Sequence, residues 1–184
     1  MTTVLFIHSA GTQGPGEGSA ALREALEGGL PQGMHFKAPL MPAPDDPKAE
    51  LWLAAFESEV TGIEHDLVIV GHSLGGSIAL KGLARLGVPV NLKGVITVAA
   101  PFWGAPDWDF ESFALPDDAA EKLVDLSRLR ILQGDRDEVV PVDHAQRYKA
   151  LLPNAQIAIL PGVDHAAAGA APAVIEAVAA LAET

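Results

Sequence analysis

Leu67-Val68-Ile69-Val70-Gly71-His72-Ser73-Leu74-Gly75-Gly76 decides how this chain is read. Four apolar residues follow one another without a polar break, as expected of a strand covered on both faces. Residues 74–86 then carry helical spacing until Gly87 and Pro89 stop it. A strand therefore passes into a helix through a turn with Ser73 at its apex. So sharp a turn strains the backbone of the serine and leaves no room for side chains at Gly71 and Gly75. The hydroxyl is lifted clear of the sheet. The first N–H groups of the helix point at it, and their partial positive charge favours an oxyanion. The bare pattern G-x-S-x-G also fits a glycine-rich turn with a capping serine. The strand before it and the helix after it favour the nucleophile.

Outward from this stretch, short β-branched runs alternate with longer Ala/Leu segments. Residues 3–8, 34–38, 67–70, 95–99, 129–132 and 156–160 read as strands. Residues 19–26, 48–61, 74–86, 142–151 and 172–182 read as helices, with another near 117–126. On 48–61, Leu51, Ala55 and Val60 are expected near one face. The order predicts an α/β fold, a minimal doubly wound parallel sheet of about six strands with helices on both faces. No repeat or linker divides the chain, so one domain is expected over 1–184. One segment breaks the rhythm. Residues 101–115 hold Phe102, Trp103, Trp108, Phe110 and Phe113, half the aromatics of the chain. They read as a short cap over the carboxyl ends of the strands, where open α/β sheets bind ligands; a surface loop with its own small cluster is the alternative.

A serine hydroxyl needs a base in contact with it, and histidine is the usual one. In hydrolases built on such a sheet the order along the chain is Ser, then Asp or Glu, then His. Only His144 and His165 follow a suitable acid. His165 lies in the loop between the last strand and the last helix, on the same edge of the sheet as Ser73. His144 falls just inside a helix and reads as a solvated helix residue. Asp135, Asp137 and Glu138 compete for the acid. Asp137, 28 positions before His165, is favoured, and Asp135 could instead brace the turn. The acid holds the imidazole in its tautomer and stabilises the imidazolium. The oxyanion donors are expected to be the N–H of Leu74 and the N–H of Ala10, in the loop after the first strand. If strand one lies between strands two and three, that loop and the serine turn meet where the sheet reverses direction. His8 reads as a brace of its loop, and His72 as packing beside the turn. Candidate substrate contacts are His8, Ser9, Phe102, Trp103 and Trp108.

Composition bounds the rest. About half of the 184 residues are apolar, enough for one core. The formal charge is −12, and Lys and Arg do not cluster. Nucleic acid and anionic membranes are therefore disfavoured as partners, although a local basic pocket stays open. There is no cysteine, which excludes thiolate chemistry and fits a cytoplasmic location. The first residues lack the basic and apolar regions of a signal peptide. The longest apolar runs fall short of a membrane span of roughly 20 residues. The histidines lack close metal-ligand spacing, and no dinucleotide fingerprint is present.

Several segments together resemble the small α/β-hydrolases typified by retinoblastoma-binding protein nine and its bacterial relatives. They are Phe6-Ile7-His8-Ser9-Ala10-Gly11, Met41-Pro42-Ala43-Pro44 with Leu51-Trp52 downstream, Ile69-Val70-Gly71-His72-Ser73, Gly134 to Asp137, and Asp164-His165. Trp52 reads as core. The resemblance implies a single-domain cytoplasmic hydrolase without a cofactor, and the same Ser73, Asp137, His165 assignment; no metal is expected. The chain departs from the wider pattern at Ser9, where glycine is favoured, and at Gly16 to Ser19, where relatives often carry a tryptophan. The expected function is serine hydrolysis of small esters through an acyl-enzyme, on a small, uncharged or weakly apolar acyl group. Thioester or amide cleavage, or a protein-binding module on a hydrolase scaffold, are the alternatives. A protein partner is possible, but no segment announces one.

Overall fold

The computed structural model describes residues 1–104 and 108–183. Six strands, β1 (Thr2–Ile7), β2 (Met34–Lys37), β3 (Asp66–His72), β4 (Leu92–Val98), β5 (Leu129–Gly134) and β6 (Gln156–Leu160), form one parallel sheet. Their order is β2-β1-β3-β4-β5-β6, so β1 lies between β2 and β3 as the sequence reading requires. The helices are α1 (Ala20–Gly29), α2 (Ala49–Thr61), α3 (Leu74–Leu86), α4 (Ala119–Lys122), α5 (Asp143–Leu151) and α6 (Ala171–Ala182).

The alternation of side chains along each strand divides the apolar residues between two layers. Val4, Phe6, Val68, Val70 and Ile96 face α1 and α6. Leu5, Ile7, Leu67, Ile69 and Val95 face α2, α3 and α5. The central strands are buried on both faces, which is why they read as unbroken apolar runs. The two edge strands, β2 and β6, are partly open to solvent.

Two local expectations are corrected. On α2 the buried face is Ala49, Trp52, Leu53, Phe56 and Val60, while Leu51 is 53% exposed and Ala55 is half-buried. Trp52 is fully buried, as its core reading expects, and the indole, rather than Leu51, sets the phase of the helix. The helix expected near 117–126 is helical only over α4; Leu123 and Leu126 are buried from the irregular turns that follow. Part of the expected cap, 105–107, lies outside the described residues. No helix among the described residues is long and apolar enough to cross a membrane.

Candidate active site

Ser73 has φ 52° and ψ −122°, a region that residues other than glycine rarely enter. Its N–H donates to the carbonyl of Val98 at 2.8 Å, which pins the turn to β4. A Cβ on Gly71 would lie 2.6 Å from the carbonyl oxygen of Gly75 and from the nitrogen of Gly76. One on Gly75 would strike the carbonyl of Ile7 and lie 2.6 Å from that of His8. The glycines thus allow the turn to close on itself and β1 to approach it.

His165 Nε2 lies 3.1 Å from Ser73 Oγ. On the other side of the ring, Nδ1 lies 2.9 Å from Oδ2 and 3.1 Å from Oδ1 of Asp137. The loops after β3, β5 and β6 thus bring three residues into one hydrogen-bonded row. Gln133 Nε2 donates to Asp137 Oδ2 at 3.0 Å, and the amides of Val139 and Val140 donate to Oδ1 at 2.9 and 2.8 Å. Burial pushes the pKa of Asp137 up, but the hydrogen bonds from His165 and the Val140 and Val139 amides outweigh it and leave a net lowering. A carboxylate at Nδ1 keeps the ring proton there, so Nε2 presents a lone pair to the serine hydroxyl. Asp135 instead accepts the N–H of Gly162 at 2.7 Å and braces the loop that carries His165. Glu138 is exposed.

The other histidines hold loops. His8 Nε2 accepts the N–H of Met41 at 2.8 Å, so the proton is on Nδ1, which donates to the carbonyl of Ser9 at 2.6 Å. Its ring meets Trp52 edge-on, and Trp52 Nε1 donates to the carbonyl of Pro42 at 2.7 Å. The N–H of Gly11 donates to the carbonyl of Pro44 at 2.8 Å. The Met-Pro-x-Pro segment is therefore clamped against the loop after β1, which is the physical content of that motif. His72 donates from Nε2 to the carbonyl of His165 at 2.8 Å and accepts the hydroxyl of Ser19 at Nδ1, 2.7 Å away. Burial lowers its pKa to about 4, so the ring is neutral. His144 is buried rather than solvated as its helical position suggests, and its Nδ1 accepts the N–H of Phe102 at 2.8 Å.

In front of Ser73 lies a cavity of about 910 Å³. Ala10, Leu74, Ser73, His165, Trp103 and Trp108 all line it. His8, Ser9 and Phe102, expected as substrate contacts, do not. His8 and Ser9 are buried behind their loop, with the N–H of Ser9 donating to Ser19 Oγ at 2.8 Å. Phe102 turns inward onto the ring of Tyr148, whose hydroxyl donates to the carbonyl of Pro101 at 2.7 Å. Trp103 meets Trp108, Phe110 and Phe113 at ring-centre distances of 5.0, 5.8 and 5.5 Å, forming an aromatic wall.

Sequence reasoning missed Gln133, Ser19 and Lys81. Gln133 falls just past the strand read over 129–132, and is buried near the end of β5. Ser19 precedes α1 as a capping serine would, yet it makes no side-chain cap and turns to His72 instead. Lys81 lines the cavity from the third turn of α3.

A family model described as serine hydrolase matches residues 31–178. A search of curated proteins finds no match. Among solved structures, the ydeN gene product of B. subtilis is similar over the whole of both chains, with 19% identity and a TM-score of 0.82. Est1E from Butyrivibrio proteoclasticus matches at 17% identity and a TM-score of 0.69, over 100% of this chain and 88% of its own. A metagenome-derived lipolytic enzyme structure, described under LipS and LipT, matches at 16% identity and a TM-score of 0.69, over 100% of this chain and 94% of its own. At these identities the likeness is one of fold, and the fold is that of the α/β-hydrolases.

Proposed function

Because this chain belongs to the serine hydrolase family, we propose that it is a carboxylesterase that cleaves small esters through an acyl-enzyme on Ser73. The observation that carries the reading is the row Ser73 Oγ, His165 Nε2, His165 Nδ1, Asp137 Oδ2, with gaps of 3.1 and 2.9 Å. His165 takes the proton of Ser73 as its oxygen attacks the ester carbonyl, then gives it to the leaving alcohol. Water, deprotonated by the same ring, releases the acid. Asp137 stays charged and stabilises the imidazolium. The N–H groups of Leu74 and Ala10, both on the cavity lining, are the oxyanion donors of this mechanism, each worth about 3 kcal/mol in the transition state. The aromatic wall suits an apolar acyl group. Esters are favoured as the substrate class because fold neighbours include lipolytic enzymes and a structure of Est1E with bound ferulic acid.

The test is labelling by a fluorescent fluorophosphonate of the wild type, Ser73→Ala and His165→Ala, followed by a panel of esters, thioesters and amides. Labelling that needs both residues, with esters turned over fastest, supports the reading. A folded wild type that neither labels nor hydrolyses any ester sinks it in favour of a binding role on this scaffold.

A further inference from the structure

The cavity in front of Ser73 continues along α3 to Lys81. Lys81 lies eight positions after Ser73, about 12 Å along the helix at about 1.5 Å per residue. Helical side chains lean toward the N-terminus, so the ammonium reaches back toward the serine. It donates to the carbonyl of Ala114 at 2.6 Å, its one hydrogen-bond partner among the described residues. Of the other charges on the lining, Asp45 is exposed and makes no ion pair among the described residues, and the rest are paired. Lys48 pairs with Asp46 at 2.7 Å, and Glu50 pairs with Arg85 at 2.7 Å. Lys81 has no carboxylate within ion-pair distance among the described residues. It is half-buried, and burial lowers its pKa.

Glu50, on the same lining, is the carboxylate whose charge acts on Lys81, but it is held by Arg85; a lysine stem is flexible enough to turn back to water. Here the carbonyl of Ala114 holds it in place and leaves two of its three N–H donors uncommitted. Ser112, also on the lining, has a hydroxyl engaged by no hydrogen bond among the described residues. Leu74, Trp103 and Phe113 supply apolar surface to the same lining. The cavity therefore joins the serine, an apolar wall and one ammonium with uncommitted donors, beside the carboxylates of Asp45, Asp46 and Glu50.

We propose that Lys81 receives the free carboxylate of a dicarboxylic half ester whose ester carbonyl meets Ser73. The inference rests on the hydrolase reading of Ser73. Ser73 Oγ displaces the alcohol from the ester carbonyl and water then displaces Ser73, so ester and water become a dicarboxylic acid and an alcohol. The acidic surface, and Asp45, Asp46 and Glu50 on the same lining, oppose anions, so the preference arises from direct contact with the Lys81 ammonium.

The experiment compares kcat/KM for the mono-p-nitrophenyl ester of adipate and for p-nitrophenyl hexanoate. The wild type prefers the half ester. Lys81→Met, which keeps the stem and loses the charge, lowers that preference at least about tenfold, as expected for one charge-assisted hydrogen bond. Lys81→Arg retains most of it. Competitive inhibition of the wild type by free adipate, tighter than by hexanoate, gives a readout that needs no variant to fold. A wild type that favours hexanoate, a preference that survives in folded Lys81→Met, or weaker inhibition by adipate overturns the inference and leaves the esterase reading standing. Failure to hydrolyse either ester, with no fluorophosphonate labelling, removes both.

Discussion

His72 donates its Nε2–H to the backbone carbonyl of His165 across 2.8 Å. Behind it the hydrogen bonds continue from His72 Nδ1 to the hydroxyl of Ser19, which in turn accepts the N–H of Ser9 at 2.8 Å. One neutral imidazole therefore ties the loop of Ala10 to the loop of His165, beneath the cavity floor. Glutamine at position 72 can still reach the carbonyl of His165 with an amide N–H; asparagine is too short. His72→Asn is expected to lower kcat about tenfold, the order of a lost buried hydrogen bond, with little change in KM for a short ester. His72→Gln is expected to lose clearly less. Equal losses in steady-state kinetics would show that the link to His165 is not what matters.

The same burial makes stability depend on pH. His72 titrates near 6.5 in the unfolded chain and near 4 in the folded one. Between these values the unfolded state binds the extra proton, so stability falls as pH drops from about 6.5 to about 4 and then levels. The full difference is about 3 kcal/mol. His8, its pKa also lowered by burial, acts with the same sign. Urea melts at about pH 7 and about pH 4.5 should show a shallower loss for His72→Gln than for the wild type, with a residue of slope from His8. A parallel loss in both proteins would contradict the assignment.

Asp137 adds a separate effect at lower pH. Its pKa is lowered in the folded state, so its contribution is present above the ordinary carboxylate range and disappears as pH falls through the folded value. Asp137→Asn is expected to flatten that acid limb. It is also expected to cut kcat by about 10⁴, because an amide can hold the wrong tautomer of His165. Gln133→Leu removes one donor to Asp137 and the partner of the Val140 carbonyl, 2.9 Å away. It should cost about 1–3 kcal/mol of stability in chemical denaturation and a smaller share of kcat than Asp137→Asn.

Two glycines give opposite expectations. At Gly75 an added methyl collides with the carbonyl of Ile7, so Gly75→Ala must push β1 from the serine turn. A loss of about 1–3 kcal/mol and of most activity is expected. Gly28, exposed on α1, would meet nothing within 4 Å, so Gly28→Ala should stabilise by about 0.5–1 kcal/mol without touching activity. Differential scanning calorimetry with an ester assay checks both.

The parallel sheet was legible because central parallel strands must be apolar on both faces, and Leu67 to Val70 states this openly; of the strand order only the place of β1 was considered, as a condition. Ser73, Asp137 and His165 could be singled out because each follows a strand and the chain order of such groups is restricted. Their roles are the proposal above. What stayed hidden involved polar residues whose partners are distant in sequence. Ser19 looks like a helix cap until His72 arrives 53 positions later. His144 looks solvated until the N–H of Phe102 and the ring of Trp108 meet it. The outward position of Leu51 could not be read either, because the phase of α2 is set by Trp52 reaching Pro42.

All five strand pairings are parallel, and the groups facing Ser73 come from loops after β1, β5 and β6. His165 hangs on the outermost of these, a half-exposed rim strand paired on one side to β5 alone. Detachment of that rim would carry the imidazole away from the serine while the middle of the sheet stayed intact. Reactivity should then fade at a temperature below the calorimetric transition, and the chain would pass through a state that is folded in the ordinary sense but chemically silent.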